Sequence, residues 1–201
     1  MVQPFVRHSG RIAVYEADNV DTDRIIPARF LSLVTRAGYG DLLFKDVRGP
    51  DFPLDSPEAQ GASVLVVGKN FGCGSSREHA VWAIQQAGYR AVIAKKTETD
   101  SGYSDIFRQN AANCGLLLIE LPEAEHSRLV EAGSGASVQV DLERQTIGIE
   151  SGEFGFEINP ATKDDLIQGL DMIGTTLRHE EDISRYEAHD RAFVPPSQTI
   201  S

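Results

Sequence analysis

Cysteine is nearly absent from this chain: Cys73 and Cys114 are the only two among 201 residues, and they lie far apart in sequence. That excludes a disulfide scaffold and a CxxC metal site, and it favours a reducing compartment such as the cytoplasm. Either thiol can also be read as a small buried hydrophobe. Histidine is sparse as well. His8, His79, His126, His179 and His189 share no metal-ligand spacing with one another or with the cysteines, so no zinc or iron site built by this chain alone is expected. Nowhere does an apolar run reach the roughly 18 residues of a membrane span. The first eight residues, Met1 to His8, lack the apolar core of a secretory signal. Basic residues are outnumbered, 19 against 30 acidic, for a formal charge of -11. Nucleic acid and anionic membranes are thereby disfavoured as partners, while a local basic pocket for a small acid remains compatible.

Several signatures are missing too. No Gly-Lys-Ser/Thr completes a phosphate-binding Walker loop, and a dinucleotide fingerprint would need a third glycine and an acidic ribose partner that are not present. The Gly-x-Ser-x-Gly elbow of serine hydrolases is also absent.

What is present centres on Asn70-Phe71-Gly72-Cys73-Gly74-Ser75-Ser76-Arg77-Glu78-His79-Ala80. Before it, residues 62–68 form a short, nearly continuous apolar run rich in β-branched residues, which predicts a strand covered on both faces. After it, Ala80, Val81, Ala83, Ile84 and Ala87 recur at helical spacing up to Gly88, and residues 91–94 again read as a strand. The segment is therefore a βαβ unit with a glycine-rich turn at the carboxyl end of its first strand. Gly72 and Gly74 can adopt φ > 0, and the helix start beyond them offers unpaired N–H donors and a positive dipole end. Arg77 adds a planar fork for a carboxylate or phosphate, at a place where a cation does nothing for helix stability. Ser75, three residues before Glu78, admits two readings: a capping-box residue or part of an anion site.

Elsewhere the chain predicts a strand over 11–15, an acidic turn over 19–27, and a loop or short helix over 28–40 able to close over a ligand. Asp21 and Asp23 in the acidic turn can be capping and turn residues. Residues 46–61, rich in Pro and Gly, read as a surface excursion. A helix from Tyr103 to Gly115, a strand over 116–121, and a helix from Pro122 at its N1 position to Ala132 follow. From 137 the period switches to two, predicting an antiparallel meander, then helices over 163–170 and 180–189 and a disordered tail over 195–201. Together these predict one α/β domain over 1–201, a mixed sheet with flanking helices.

Gly74-Ser75-Ser76-Arg77-Glu78-His79-Ala80, Asn19-Val20-Asp21-Thr22-Asp23-Arg24-Ile25-Ile26-Pro27 and Thr35-Arg36-Ala37-Gly38 resemble the small subunit of 3-isopropylmalate dehydratase, similar to the swivelling domain of aconitase. The likeness extends to Ser104-Asp105-Ile106-Phe107 and to residues 169–177, almost the whole chain. It implies a β/β/α three-layer swivelling fold. It also implies half of a hydro-lyase that interconverts 2-isopropylmalate and 3-isopropylmalate through isopropylmaleate in leucine biosynthesis. The partner implied is a large subunit, in a heterodimer or higher assembly, that carries a [4Fe-4S] cluster with one iron open to the substrate hydroxyl. No cofactor is then expected on this chain.

By the same resemblance Ser75 is the base that takes a proton from carbon, Ser76 and Arg77 hold a substrate carboxylate, and Asp23 joins the hydrogen-bond network. Arg36 matches a substrate-binding arginine. Leu31, Leu33 and Val34 offer aliphatic surface for an isopropyl group, where a tricarboxylate enzyme would need a cation. Lys95 to Tyr103 is longer and more polar than the family's usual short turn, so a hydro-lyase for citraconate, dimethylmalate or homoaconitate is the alternative substrate class. A non-catalytic anion-binding module is the alternative of another kind.

Overall fold

The computed structural model describes residues 2–32, 36–75 and 77–189. Leu33, Val34, Ser76 and the tail 195–201 lie outside the described residues. Seven strands form one mixed sheet in the order β4-β3-β2-β1-β5-β6-β7.

The first strand, β1 (Arg7–Tyr15), serves two partners. Its second half, Ile12 to Tyr15, pairs in parallel with β2 (Val64–Val67), and its first half, Arg7 to Arg11, pairs antiparallel with β5 (Ser137–Asp141). The handover falls between Arg11 and Ile12, just past Gly10, where any Cβ would collide with the Ser63 side chain. Between β1 and β2 lies a one-turn helix, α1 (Thr22–Ile25), followed by short 3-10 turns.

Residues 46–61 carry Phe52, Leu54 and Ala59 into the interior, with the Phe52 ring 5.3 Å from that of Tyr15. After β2 come α2 (Glu78–Gln86), β3 (Ala91–Lys96), α3 (Asp105–Cys114), β4 (Leu117–Pro122) and α4 (Glu123–Ala132), with β2, β3 and β4 all parallel. The meander adds β6 (Thr146–Ile149) and β7 (Gly152–Gly155), both antiparallel. Three helices close the described chain: α5 (Pro160–Gln168), α6 (Met172–Leu177) and α7 (Glu180–His189).

Two cores explain the layering. On one face of the parallel strands Ala13, Leu65, Val67, Val92 and Ala94 pack against α2 and α3 through Ala80, Val81, Ile84, Phe107 and Ala111. On the other, Ile12, Val64, Val66, Ile93, Leu117 and Ile119 meet Val138, Val140, Ile147 and Phe154 of the meander, with Leu129 of α4 and Leu166 of α5 at its margins. The meander, α4 and α5 thus share one core against this face of the parallel strands, while α2 and α3 cover the other. Strands β2 and β3 are apolar on both sides because each side is a core, and burying each Val, Leu or Ile contributes about 1.5–3 kcal/mol.

Local chemistry sets most boundaries. Ser104 caps α3 by accepting from the Phe107 N–H at 3.4 Å, and Gly115 ends it at φ +73. Three expectations shift. Pro122 is the N-cap of α4, one position before N1, because it is still paired to Lys96 as the end of β4. The helix expected from 163 begins at Pro160, since Asn159 accepts from the N–H groups of Ala161 and Thr162 and Pro160 suits the first turn. Finally, α6 was not anticipated as a helix; Asp171 caps it through the Gly174 N–H at 2.8 Å. No helix among the described residues is long and apolar enough to cross a membrane.

His126 is fully buried beneath the carboxyl end of β2, with Nε2 donating to the Val67 carbonyl at 2.7 Å and Nδ1 buried without a partner. Its pKa is lowered, chiefly by desolvation; the Val67 bond and the carboxylates of Glu16 and Asp18 oppose this, and Lys95 reinforces it. His8 is lowered too, first by desolvation and then by Arg90. For a group depressed in the fold, the unfolded chain binds the proton first, so this stability is full above pH about 6.5 and is lost as pH falls through the folded value. Thermal melts between pH 7.5 and 5 are expected to show Tm falling with pH, and His126→Gln should flatten that slope. An unchanged slope would leave His126 without this role.

Candidate active site

The site is assembled from two loops at the carboxyl ends of adjacent strands β1 and β2, where open α/β sheets place their ligands. The loop after β1 contains Asn19, Asp21, Thr22 and Asp23; the loop after β2 contains Asn70 to Arg77. Backbone bonds lace them together. Asn19 N–H donates to Lys69 O at 2.9 Å, Gly72 and Cys73 N–H both donate to Val20 O, and Thr22 N–H donates to Cys73 O at 3.0 Å. Asn19 and Asn70 both sit in the left-handed region, at φ 53 and 54, and their side chains bond at 2.8 Å. Asparagine tolerates that conformation better than other side chains do.

A third segment braces the turn from the other side. Asn70 N–H donates to Ser101 O at 3.0 Å, Phe71 N–H donates to Gly102 O at 2.8 Å, and the Ser104 hydroxyl donates to Gly72 O at 2.6 Å. The long polar connection over 95–103 is thereby given a structural place. Its tip is tied down by Lys69 Nζ to Asp100 at 2.7 Å, and its end by Glu120, which accepts from Gly102 N–H and pairs with Arg108 at 2.7 Å. Gly72, at φ +73, lies against the ring of Phe107.

The structure separates the two readings of Ser75. Helix α2 starts at Glu78 with Arg77 as N-cap, and no side chain among the described residues caps it. Ser75 therefore lies two residues ahead of the cap, exposed, and the capping box with Glu78 does not form. The Ser75 carbonyl is held by the Thr22 hydroxyl at 2.7 Å. Arg77, expected in the first helical turn, stands one position earlier because its backbone is extended, φ -140 and ψ 106. Its guanidinium meets Asp23 through two hydrogen bonds, Nη1 to Oδ1 and, at 3.0 Å, Nη2 to Oδ2. This pair spans the two loops, with the Arg77 side chain 15% exposed and Asp23 54%. Asp23 occupies one edge of the guanidinium and fixes its plane, leaving other N–H groups for an incoming carboxylate.

The other described candidates, Arg36 and Leu31, stand apart from this constellation. The Arg36 guanidinium lies 4.9 Å over the Trp82 ring, and its carbonyl accepts from Gln86 at 2.7 Å. It shares a cavity with Glu78, Trp82 and Cys114 beside the helix start. Leu31 is half-buried and packs against the helix-side core. Sequence reading missed Thr22 and Ser104 as turn-holding residues; the one available signal was a hydroxyl inside each of two polar motifs.

Neither thiol is poised to act. Burial raises the Cys73 pKa, with the Asp21 carboxylate adding to it, and burial beside Glu78 pushes Cys114 up to about 12. A thiol whose pKa is raised is mostly protonated at neutral pH, and the protonated form is neither nucleophile nor ligand. Two thiols are also too few for an iron-sulfur cluster with three or four cysteine ligands. Among the described residues no group of three or more His, Cys, Asp or Glu could hold a metal ion. This chain's residues do not fit a cluster.

Residues 2–124 match the aconitase C-terminal domain model and residues 128–160 match LeuD_N. Residues 172–195 match the C-terminal domain of the 3-isopropylmalate dehydratase small subunit. Among solved structures, 3-isopropylmalate dehydratase (leuD) from Methanocaldococcus jannaschii is similar at 30% identity and a TM-score of 0.67, over 90% of this chain and 99% of that one. The chain belongs to the aconitase C-terminal domain family, among the small subunits of 3-isopropylmalate dehydratase.

Proposed function

We propose that this chain supplies the proton-transfer and carboxylate-binding half of a hydro-lyase that interconverts 2-isopropylmalate and 3-isopropylmalate through isopropylmaleate, in the cytoplasm. The observation that carries the reading is the pairing of an exposed, uncapped Ser75 with an Arg77 fixed by Asp23 across two interlaced loops. In this reading Ser75, as alkoxide, takes the proton from the substrate carbon and returns it in the reverse direction.

A free serine is far too weak a base for that. The oxyanion must be stabilised by the N–H groups and positive dipole end of α2 and by neighbouring cations. An uncapped helix start leaves those donors available. Arg77 and Ser76 hold one substrate carboxylate. Arg36 is the proposed second cation. The isopropyl group is assigned to Leu31, Leu33 and Val34. The large subunit is assigned the [4Fe-4S] cluster, which supplies the Lewis acid. The whole chain is read as one domain whose two cores share one sheet.

Purified chain mixed with a cluster-loaded large subunit is expected to hydrate isopropylmaleate, and neither component should do so alone. Turnover by this chain by itself would overturn the two-subunit reading, and a higher kcat/KM for citraconate than for isopropylmaleate would overturn the substrate.

A further inference from the structure

The buried polar groups around the turn point to a residue outside the substrate-contacting set. Thr22 is a polar side chain only 2% exposed, on α1 rather than on the catalytic loop. Its hydroxyl donates to the carbonyl of Ser75 at 2.7 Å, and its own N–H donates to Cys73 O at 3.0 Å. One residue therefore grips both ends of the Cys73-Gly74-Ser75 tripeptide. Gly74, at φ +87, has no side chain to brace it, and a Cβ there would find nothing nearer than Asp21 at 3.6 Å. Between two fixed carbonyls sits a flexible glycine, so the orientation of Ser75 depends on the Thr22 hydroxyl.

We propose that Thr22 is a positioning residue for the reaction: by holding the Ser75 carbonyl it fixes the peptide plane from which the Ser75 hydroxyl is aimed at the substrate carbon. The inference rests on the reading of Ser75 as the base. Thr22 touches neither substrate nor the reacting atoms and acts only through Ser75. The same grip explains why a polar side chain is buried here at all, since an apolar residue of equal shape would leave the Ser75 carbonyl without its donor. Misplacement of a reacting group by about 1 Å can cost on the order of 100-fold, while substrate affinity, set by Arg77, need not change.

The test uses the complete enzyme with its large subunit. Thr22→Val keeps the shape and removes the donor; Thr22→Ser restores a donor. For hydration of isopropylmaleate we expect Thr22→Val to lower kcat by about 10- to 100-fold with KM within about threefold, and Thr22→Ser to recover kcat to within about threefold of the parent. A double-mutant cycle separates positioning from packing: in a Ser75→Ala background, Thr22→Val should cost nothing further, because there is no longer a hydroxyl to aim. The inference is overturned if Thr22→Val keeps kcat within twofold, if Thr22→Ser fails to recover it, or if the two losses multiply in the double variant. Ser75→Ala alone reads the underlying assignment: full activity in that variant would overturn both, whereas an inactive Ser75→Ala with an active Thr22→Val overturns only the role of Thr22.

Discussion

Replacing Ser75 with alanine is expected to lower kcat of the reconstituted enzyme by about 10²- to 10⁴-fold, the usual contribution of a positioned acid or base. KM should change little, because in the proposed site the substrate carboxylate is held by Arg77 and Ser76, and the Arg77–Asp23 pair that orients the guanidinium does not involve the Ser75 side chain. Stability should barely move. Loss of an N-cap serine would cost about 0.5–2 kcal/mol. Here, however, α2 is capped by no side chain and Ser75 lies outside the cap position. Its structural bond is made by its carbonyl, which alanine retains. The two readings of this serine therefore predict opposite patterns. A base loses turnover at constant Tm, whereas a cap loses Tm at constant turnover. Steady-state kinetics and a thermal melt on the same preparation decide between them, and full activity with a reduced Tm would remove Ser75 from the chemistry.

A second large effect is expected at Gly72, measured against Gly74 as its control. Both have positive φ, +73 and +87, so alanine at either place carries the left-handed penalty of roughly 1–2 kcal/mol. Only Gly72 is also crowded: a Cβ would clash with the Phe107 ring and come within 2.8 Å of the Phe107 Cβ, while at Gly74 the nearest atom is 3.6 Å away. Phe107 is buried and meets the Phe71 ring edge-to-face at 5.6 Å, so it has little room to yield. Overpacking of this kind adds typically about 1–3 kcal/mol. Gly72→Ala should therefore lower Tm by roughly 5–15 °C, and Gly74→Ala by only a few degrees. Activity should fall more steeply for Gly72→Ala as well, since the backbone must shift at the point where Val20 and Ser104 hold the turn. Equal Tm losses for the two variants would show that crowding by Phe107 does not shape the turn.

The two variants test different links. Ser75→Ala removes a chemical group from an intact frame, and Gly72→Ala strains the frame around an intact group. A Gly72→Ala enzyme that loses turnover in proportion to its stability alone would place the turn among ordinary structural loops. A loss beyond that proportion would show that the geometry at Ser75 is what the fold is built to hold.

Much of this was legible in the residues. Apolar runs rich in β-branched residues predicted β2 and β3, because a strand between two cores has no polar face to show, and the leucine-rich run over 116–121 predicted β4. The change to period two at residue 137 predicted the meander, whose buried residues Val138, Val140 and Ile147 alternate with more exposed ones. Glycine spacing predicted a tight turn before α2, and Gly72 and Gly74 both have positive φ, since φ preference is a property of the residue itself. Helix starts were less legible: α5 began three residues early, and α6 went unseen because six residues leave too little periodicity to read.

The sequence by itself thus determined most of the elements, the glycine turn and Arg77 as an anion-binding candidate, because periodicity, glycine freedom and side-chain chemistry are local; Ser75 as base and Asp23 as its neighbour came from the resemblance of the motifs to a family. Only the tertiary structure decided that Ser75 is not a cap, that Thr22 and Ser104 grip its turn, that Asp23 orients Arg77, and that Arg36 rests on Trp82. Those contacts join loops some 50 and 30 positions apart, as Thr22 does with Ser75 and Ser104 with Gly72. Their existence depends on the register of β1 against β2, Tyr15 opposite Val67, which brings the two loop origins side by side. No local rule of composition or spacing encodes which hydroxyl will then face which carbonyl.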